Sequence, residues 1–343
     1  MVATVRLAAW TDVPDPPPPV ADTGRMGLHR RGRDPLTSED VSFDSAGCRL
    51  AGTFAPVPDP VAAALLLPGS GRVDRDSNLR WLRLDLTRLL AETLAPLGVA
   101  TLRYDKRGVG GSGGDYLSTG FDRRRDDAHA ALDWLARRLP EVPLLIVGHS
   151  EGGMHAIELA GRGAVSGAVL LSAAARPGEQ LLEWQGDALL STLPGWLTAS
   201  LRFARIDPIV SQRKRLHRIR KSTAAVMRLQ GVRVNARWLR EFAGYDPAPA
   251  LSRITVPVLA ITGGHDLQVP PEDVDAMGRL VRGPFDGRVV GDLGHLLRPD
   301  PERLGMRGYR RTVRRPIDSA VLDSIGEWVA GRWPHTDGRA AGD

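Results

Sequence analysis

The segment best equipped to do chemistry is Gly148-His149-Ser150-Glu151-Gly152-Gly153. An apolar run, Leu144–Val147, precedes it, and a stretch of helical spacing follows to about Ala160. A serine lifted above a strand end needs a turn so sharp that nearby side chains collide, and glycines two residues to either side remove those side chains. Ser150 is therefore the candidate nucleophile. The turn also brings the N–H of Glu151 to the start of the next helix, where partial positive charge suits an oxyanion. A serine in an ordinary strand–helix loop is the plainer reading, but it does not require both flanks and both glycines.

A serine hydroxyl is a weak nucleophile until a base takes its proton, and the base needs a carboxylate to orient it. On strand–turn–helix scaffolds the three occur in the order serine, acid, histidine. Gly263-Gly264-His265-Asp266 follows the apolar run Val256–Thr262, and Asp292-Leu293-Gly294-His295 follows Val289-Val290. Both sit where a strand ends, the edge at which sites gather in open α/β sheets. We assign His295 as general base and Asp266 as its orienting acid, with Asp292 as the fallback carboxylate. His265, His149 and His155 are read as packing or local hydrogen-bonding residues.

A second oxyanion donor is expected from a loop after an earlier strand. Pro68-Gly69-Ser70-Gly71 directly follows Val61–Leu67, and its small residues let backbone approach a substrate. The N–H of Ser70 is the expected donor, with Gly69 behind it and in reach of the substrate. Asp105-Lys106-Arg107-Gly108-Val109-Gly110-Gly111-Ser112 is another glycine-rich loop, but its spacing is not that of a dinucleotide site. It reads as a shaped turn near the rim.

These residues need a sheet to position them. Continuous apolar runs at Val61–Leu67, Val99–Tyr104, Leu144–Val147, Ala168–Leu171 and Val256–Thr262 suit strands buried on both faces. Helical periods separate them, from Leu82 to Leu94, from Asp122 onward and over Glu272–Val281, and Pro316 opens a last helix. A hairpin is expected across Val41–Phe54. Alternation of this kind argues for a mostly parallel sheet with helices on both faces. Residues 176–250 break the rhythm with Leu and Trp at helical spacings and no strong strand, the pattern of a helical insertion. Trp184, Trp196 and Trp238 fall there and are candidates to line an apolar acyl or alcohol pocket. Arg213, Lys214, Arg215, Arg218, Arg220 and Lys221 form a basic run in the same region, read as a solvated helix face before an anion site. The expected division is an N-terminal tail over 1–38, a core over 39–175 and 251–332, the insertion over 176–250, and a short tail over 333–343.

Bulk composition narrows the classes. The net charge of +6 would suit nucleic acid, but only three of the 46 basic residues are lysines, the arginine skew of a coding bias. One cysteine, Cys48, forbids an intrachain disulfide, and no run of about 18 apolar residues is present to span a membrane. We expect a soluble cytoplasmic protein without nucleic-acid partner or metal.

Leu67–Gly71 with Asp74-Arg75-Asp76-Ser77-Asn78, Asp105–Ser112 and Gly148–Gly153 together resemble the α/β-hydrolase superfamily, in particular bacterial carboxylesterases and acyl-ester hydrolases. The resemblance spans most of residues 40–332. It implies an eight-stranded sheet, a helical lid inserted after the sixth strand, no cofactor, and Ser150, Asp266 and His295 at the triad positions. Where many members carry His-Gly in the oxyanion loop, this chain has Pro68-Gly69. The expected function is hydrolysis of small to medium, mainly apolar carboxylic esters through an acyl-enzyme. Thioesterase or peptidase action on the same triad, or ligand binding without catalysis, are the alternatives.

Overall fold

The structure is a computed structural model that describes residues 37–192, 208–229 and 231–334. The two expected tails lie almost entirely outside the described residues, as does Trp196.

Ten strands are described: β1 (Glu39–Ser45), β2 (Cys48–Ala55), β3 (Ala62–Leu67), β4 (Val99–Tyr104), β5 (Leu144–His149), β6 (Gly167–Leu171), β7 (Val226–Leu229), β8 (Val232–Asn235), β9 (Val258–Gly263) and β10 (Phe285–Val290). Eight form one sheet in the order β1-β2-β4-β3-β5-β6-β9-β10. β2 is antiparallel to both of its neighbours, and every other pairing that joins β4 to β10 is parallel. The β1–β2 hairpin closes through Ala46 and Gly47, both at positive φ, the handedness that matches strand twist.

The uninterrupted apolar runs have a direct cause. Successive side chains of a strand point to opposite faces. In β3, Ala63, Leu65 and Leu67 enter one core while Ala62, Ala64 and Leu66 enter the other. β9 divides likewise, Val258 and Ala260 against Leu259 and Ile261. The first core is covered by α2 (Phe121–Arg138) and α3 (Glu151–Ala160). The second is covered by α1 (Leu86–Leu94) and by the last helix, Ser319–Ala330, through Leu86, Leu90, Val321, Ile325 and Trp328. Each such fully buried side chain stabilises the fold by about 1.5–3 kcal/mol before entropy is counted.

Two helix starts differ from the sequence expectation. α1 begins at Leu86 because Asn78 captures the preceding turn: its side-chain oxygen accepts from the N–H groups of Leu84 and Asp85. The last helix begins at Ser319, capped by the Asp318 carboxylate on the N–H of Ala320.

The segment after β6 contains α4 (Gly178–Ser191), α5 (Pro208–Lys221) and α6 (Ala236–Gly244). It also contains the hairpin β7–β8, which sequence reasoning missed. Four-residue strands give too short an alternation to stand out against helical spacing on both sides. The segment is fastened by packing. Leu181, Leu182, Leu216, Trp238 and Phe242 form a cluster with Phe121 of α2 and Met154 of α3. Asn235, fully buried, adds polar ties. Its Oδ1 accepts from the N–H of Trp238, and its Nδ2 donates to the carbonyls of Tyr116 and Thr119.

Candidate active site

Three strand ends converge. Ser150 stands between β5 and α3 with φ 54° and ψ −117°, a backbone conformation outside the favoured regions for an L-residue. Neighbouring sterics hold it there. A Cβ on Gly148 would lie 2.2 Å from the carbonyl oxygen of Gly152, and one on Gly152 would lie 2.4 Å from that of Leu67. Both glycines are thus required by close backbone approach.

Asp266 follows β9 and His295 follows β10. The Ser150 Oγ lies 3.1 Å from His295 Nε2, and His295 Nδ1 lies 2.9 Å from Asp266 Oδ2. Residues 145 apart in sequence are thereby placed in hydrogen-bond contact. Asp266 is almost wholly buried, and its Oδ1 also accepts from the N–H groups of Gln268 and Val269. Burial alone would raise this carboxyl. The charge and hydrogen bond of His295, with the two amides, outweigh it and hold Asp266 below the ordinary carboxylate range. Asp292, the fallback acid, is exposed and lies 3.8 Å from His265 instead.

His149, read from sequence as a packing residue, also supports the site. Its Nε2 is 2.8 Å from the carbonyl oxygen of His295. Burial, then the neighbouring His295, pushes His149 down to about 3, so the ring is neutral and its Nε2–H donates. His155 stays on the other side of α3, beside Glu151 and stacked near Phe121.

Glu151 occupies the first position of α3, and Ser70 lies across from it in the loop after β3. Among the described residues, neither backbone N–H donates to a protein acceptor. Gly69 has no room for a side chain, since a Cβ there would lie 2.9 Å from His149 Nδ1 and 3.3 Å from Ser150 Cβ. The Glu151 carboxylate turns away from the cleft into the protein. Its Oε1 is 3.1 Å from Arg124 and 3.5 Å from Lys106. Burial opposes ionisation there, but Lys106 and Arg124 overcome it and hold the group well below the usual range.

The cleft itself encloses about 330 Å³, its solvent mouth included, and Ser150 and His295 open onto it with Gly69, Ser70, Val73, Ser77, Leu84, Leu296, Gln268 and Tyr309. Trp184 and Trp238, the two expected tryptophans among the described residues, are not part of this lining. Trp238 is 2% exposed, stacks on Phe242 at 4.7 Å and packs in one cluster with Phe121 and Met154 of the body. Trp184 is half-buried on α4 and outside the lining. Gln268 and Tyr309 were not singled out in the sequence. Gln268 lies two residues past the acid, a position that could have flagged it, whereas Tyr309 reaches the cleft only through tertiary folding. Among the described residues there is no cluster of three or more His, Cys, Asp or Glu able to hold a metal.

A family model described as serine aminopeptidase, S33, an α/β hydrolase, matches residues 85–285, more than half of the chain. The chain belongs to that family. Ser150 and Asp266 fall inside the matched stretch, and His295 lies ten residues beyond its end. Esterase EstD of Thermotoga maritima is 26% identical over 303 residues, covering 86% of this chain and 68% of its own length. Among solved structures, Est1E from Butyrivibrio proteoclasticus with bound ferulic acid aligns with TM-score 0.57 at 19% identity, over 85% of this chain and 98% of its own. The Pyrococcus furiosus esterase Pf2001 aligns with TM-score 0.55 at 19% identity, over 87% and 91%. At such identities these structures establish the α/β-hydrolase fold. Among the described residues, no helix is long and apolar enough to cross a membrane.

Proposed function

We propose that this α/β hydrolase cleaves carboxylic esters through an acyl-enzyme on Ser150. The observation that carries the reading is the continuous hydrogen-bonded line from Ser150 Oγ through His295 to Asp266, set on a strained turn. His295 takes the hydroxyl proton as Ser150 Oγ bonds to the ester carbonyl carbon. The carbonyl electrons move to oxygen, which the N–H groups of Glu151 and Ser70 receive. His295 then returns the proton to the departing alkoxide as the C–O bond breaks. Water, deprotonated by the same imidazole, releases the acid by the reverse sequence. Asp266 keeps the Nδ1–H tautomer in place throughout.

The cleft favours compact acyl groups. Val73, Leu84 and Leu296 offer apolar surface, and Gln268 and Tyr309 place polar groups beside it. A carboxylate to grip the ammonium of a free peptide N-terminus is absent from the described lining, which supports an ester over an aminopeptidase substrate. The name borne by the Thermotoga relative agrees with an ester. The single buried cysteine, Cys48, suits work in the cytoplasm.

The test is release of p-nitrophenol from acetate, butyrate and octanoate esters by the wild-type protein and by Ser150→Ala. Serine-dependent turnover, strongest on the short esters, is expected. Equal rates from wild type and variant would refute the reading.

A further inference from the structure

Beside the cleft, on the other side of the Gly69–Ser70 peptide and the start of α3, lies a second pocket. Leu67, Pro68, Tyr104, Lys106, Arg107, Arg124, Asp127, Glu151 and His155 line it. Lys106 reaches upward from the loop after β4. Its Nζ donates to the carbonyl oxygen of Gly69 at 2.5 Å and lies 3.5 Å from Glu151 Oε1.

These two contacts bear on both halves of the oxyanion site. A trans peptide is planar, with its C=O and N–H pointing in opposite directions. The Gly69 carbonyl and the Ser70 N–H belong to one such unit. Drawing the carbonyl down to a buried ammonium turns the N–H up, towards the cleft that Ser70 and Ser150 line. The other contact fixes Glu151, whose own N–H is the partner donor. One ammonium thus sets where each donor points and how far apart they stand.

Charge adds to position. Lys106, Arg124 and Glu151 are each at most 7% exposed, and together they carry one net positive charge. Arg107 and Asp127 beside them form an ion pair that cancels. Burial lowers both His155 and Lys106, the latter only to about 8, so at neutral pH the imidazole is neutral and the ammonium charged. Tyr104 is pushed well above its ordinary value and is neutral too. A positive charge behind the peptide, shielded from water, attracts an oxyanion more than it attracts the neutral carbonyl that precedes it.

We propose that Lys106 is a positioning residue for the oxyanion site, orienting the Gly69–Ser70 peptide and Glu151 from below. This rests on the ester-hydrolase reading. A structural lysine alone would affect how much protein folds, whereas an orienting lysine affects how well each folded molecule turns over.

The experiment compares wild type with Lys106→Met and Lys106→Gln, counting competent sites by fluorophosphonate labelling. For each, kcat per labelled site, KM, Tm and affinity for a trifluoromethyl ketone are measured. The ketone reports directly, because Ser150 adds to its carbonyl and leaves an oxyanion in the site. Loss of a single oxyanion donor costs about 100–1000-fold, so misorienting one is expected to lower kcat by about 10–100-fold in Lys106→Met. KM should stay within about threefold and ketone affinity should fall in parallel with kcat. Lys106→Gln, which keeps a donor but not the charge, should fall between, by about fivefold or more, and serves alone if the methionine variant does not fold. Folded variants whose kcat per labelled site and ketone affinity match the wild type would overturn the proposal. A wild type without serine-dependent turnover would instead overturn the ester-hydrolase reading on which it rests.

Discussion

Replacing Asp266 by asparagine gives a sharp test, because the structure dictates which way the new amide must face. Oδ1 accepts two backbone N–H groups, from Gln268 at 2.7 Å and Val269 at 3.0 Å. An NH2 at that place would set a buried donor against two donors, at a cost of several kcal/mol. The oxygen of the introduced side chain is therefore held by the backbone amides, and its NH2 takes the place of Oδ2, 2.9 Å from His295 Nδ1. There it donates, so Nδ1 must be the bare nitrogen and Nε2 must carry the hydrogen. Nε2 then presents a donor to Ser150 Oγ and cannot accept its proton. The expected loss is about 10⁴-fold in kcat, or about 5.5 kcal/mol in the barrier, with KM nearly unchanged. Because both amide bonds survive, Tm should move by only a few degrees. Steady-state hydrolysis of p-nitrophenyl butyrate, normalised to folded protein, reads the effect. A variant within tenfold of wild type would refute the assignment of Asp266 as the residue that fixes the tautomer.

Further outcomes follow from the same geometry. Ser150→Ala should abolish fluorophosphonate labelling and lower turnover by at least about 10³-fold at nearly unchanged Tm, since the position needs no side chain to fold. Gly152→Ala should destabilise by about 1–3 kcal/mol in urea unfolding or fail to fold, its Cβ meeting the Leu67 carbonyl 2.4 Å away. Trp238→Ala should cost about 3–5 kcal/mol of stability while the activity of molecules that remain folded changes little, as expected of a side chain that packs instead of binding. Acid should also weaken the fold. His149 is held at about 3 when folded, against an ordinary value of 6.5, so between those values the unfolded chain binds a proton that the folded chain refuses. Stability therefore rises with pH in that window, and about 2 kcal/mol of His149's contribution is lost on going from pH 7 to pH 5. His155, lowered by burial as well, acts in the same direction. His149→Asn should flatten this slope in urea titrations at the two pH values, and an equal slope would contradict it.

Five of the eight sheet strands, β3, β4, β5, β6 and β9, are legible because burial on both faces leaves unbroken apolar runs, and the serine turn is legible because its glycines are forced by close backbone contacts. Asp266 and His295 can be read from chain order and strand ends. Lys106, Arg298 and Tyr309 belong to another category. Arg298 is buried and donates to the carbonyls of Leu84, Leu296 and Arg315, tying down the loop that carries His295, yet nothing near it in sequence foretells those partners. Trp238 misled for a related reason. A tryptophan amid leucines signals apolar burial equally well against a ligand or against Phe242, and the choice depends on where the helix Ala236–Gly244 docks.

The distance along the chain between Ser150 and His295 has a consequence for synthesis. The serine turn is complete once β5, α3 and β6 exist, but its base arrives 145 residues later, on the loop after the outermost strand β10. At about 5–20 residues per second, a nascent chain carries its serine for on the order of ten seconds without the histidine. Throughout that interval it has no means of removing the serine's proton. Hydrolytic competence therefore waits until the loop after β10 brings His295 beside Ser150.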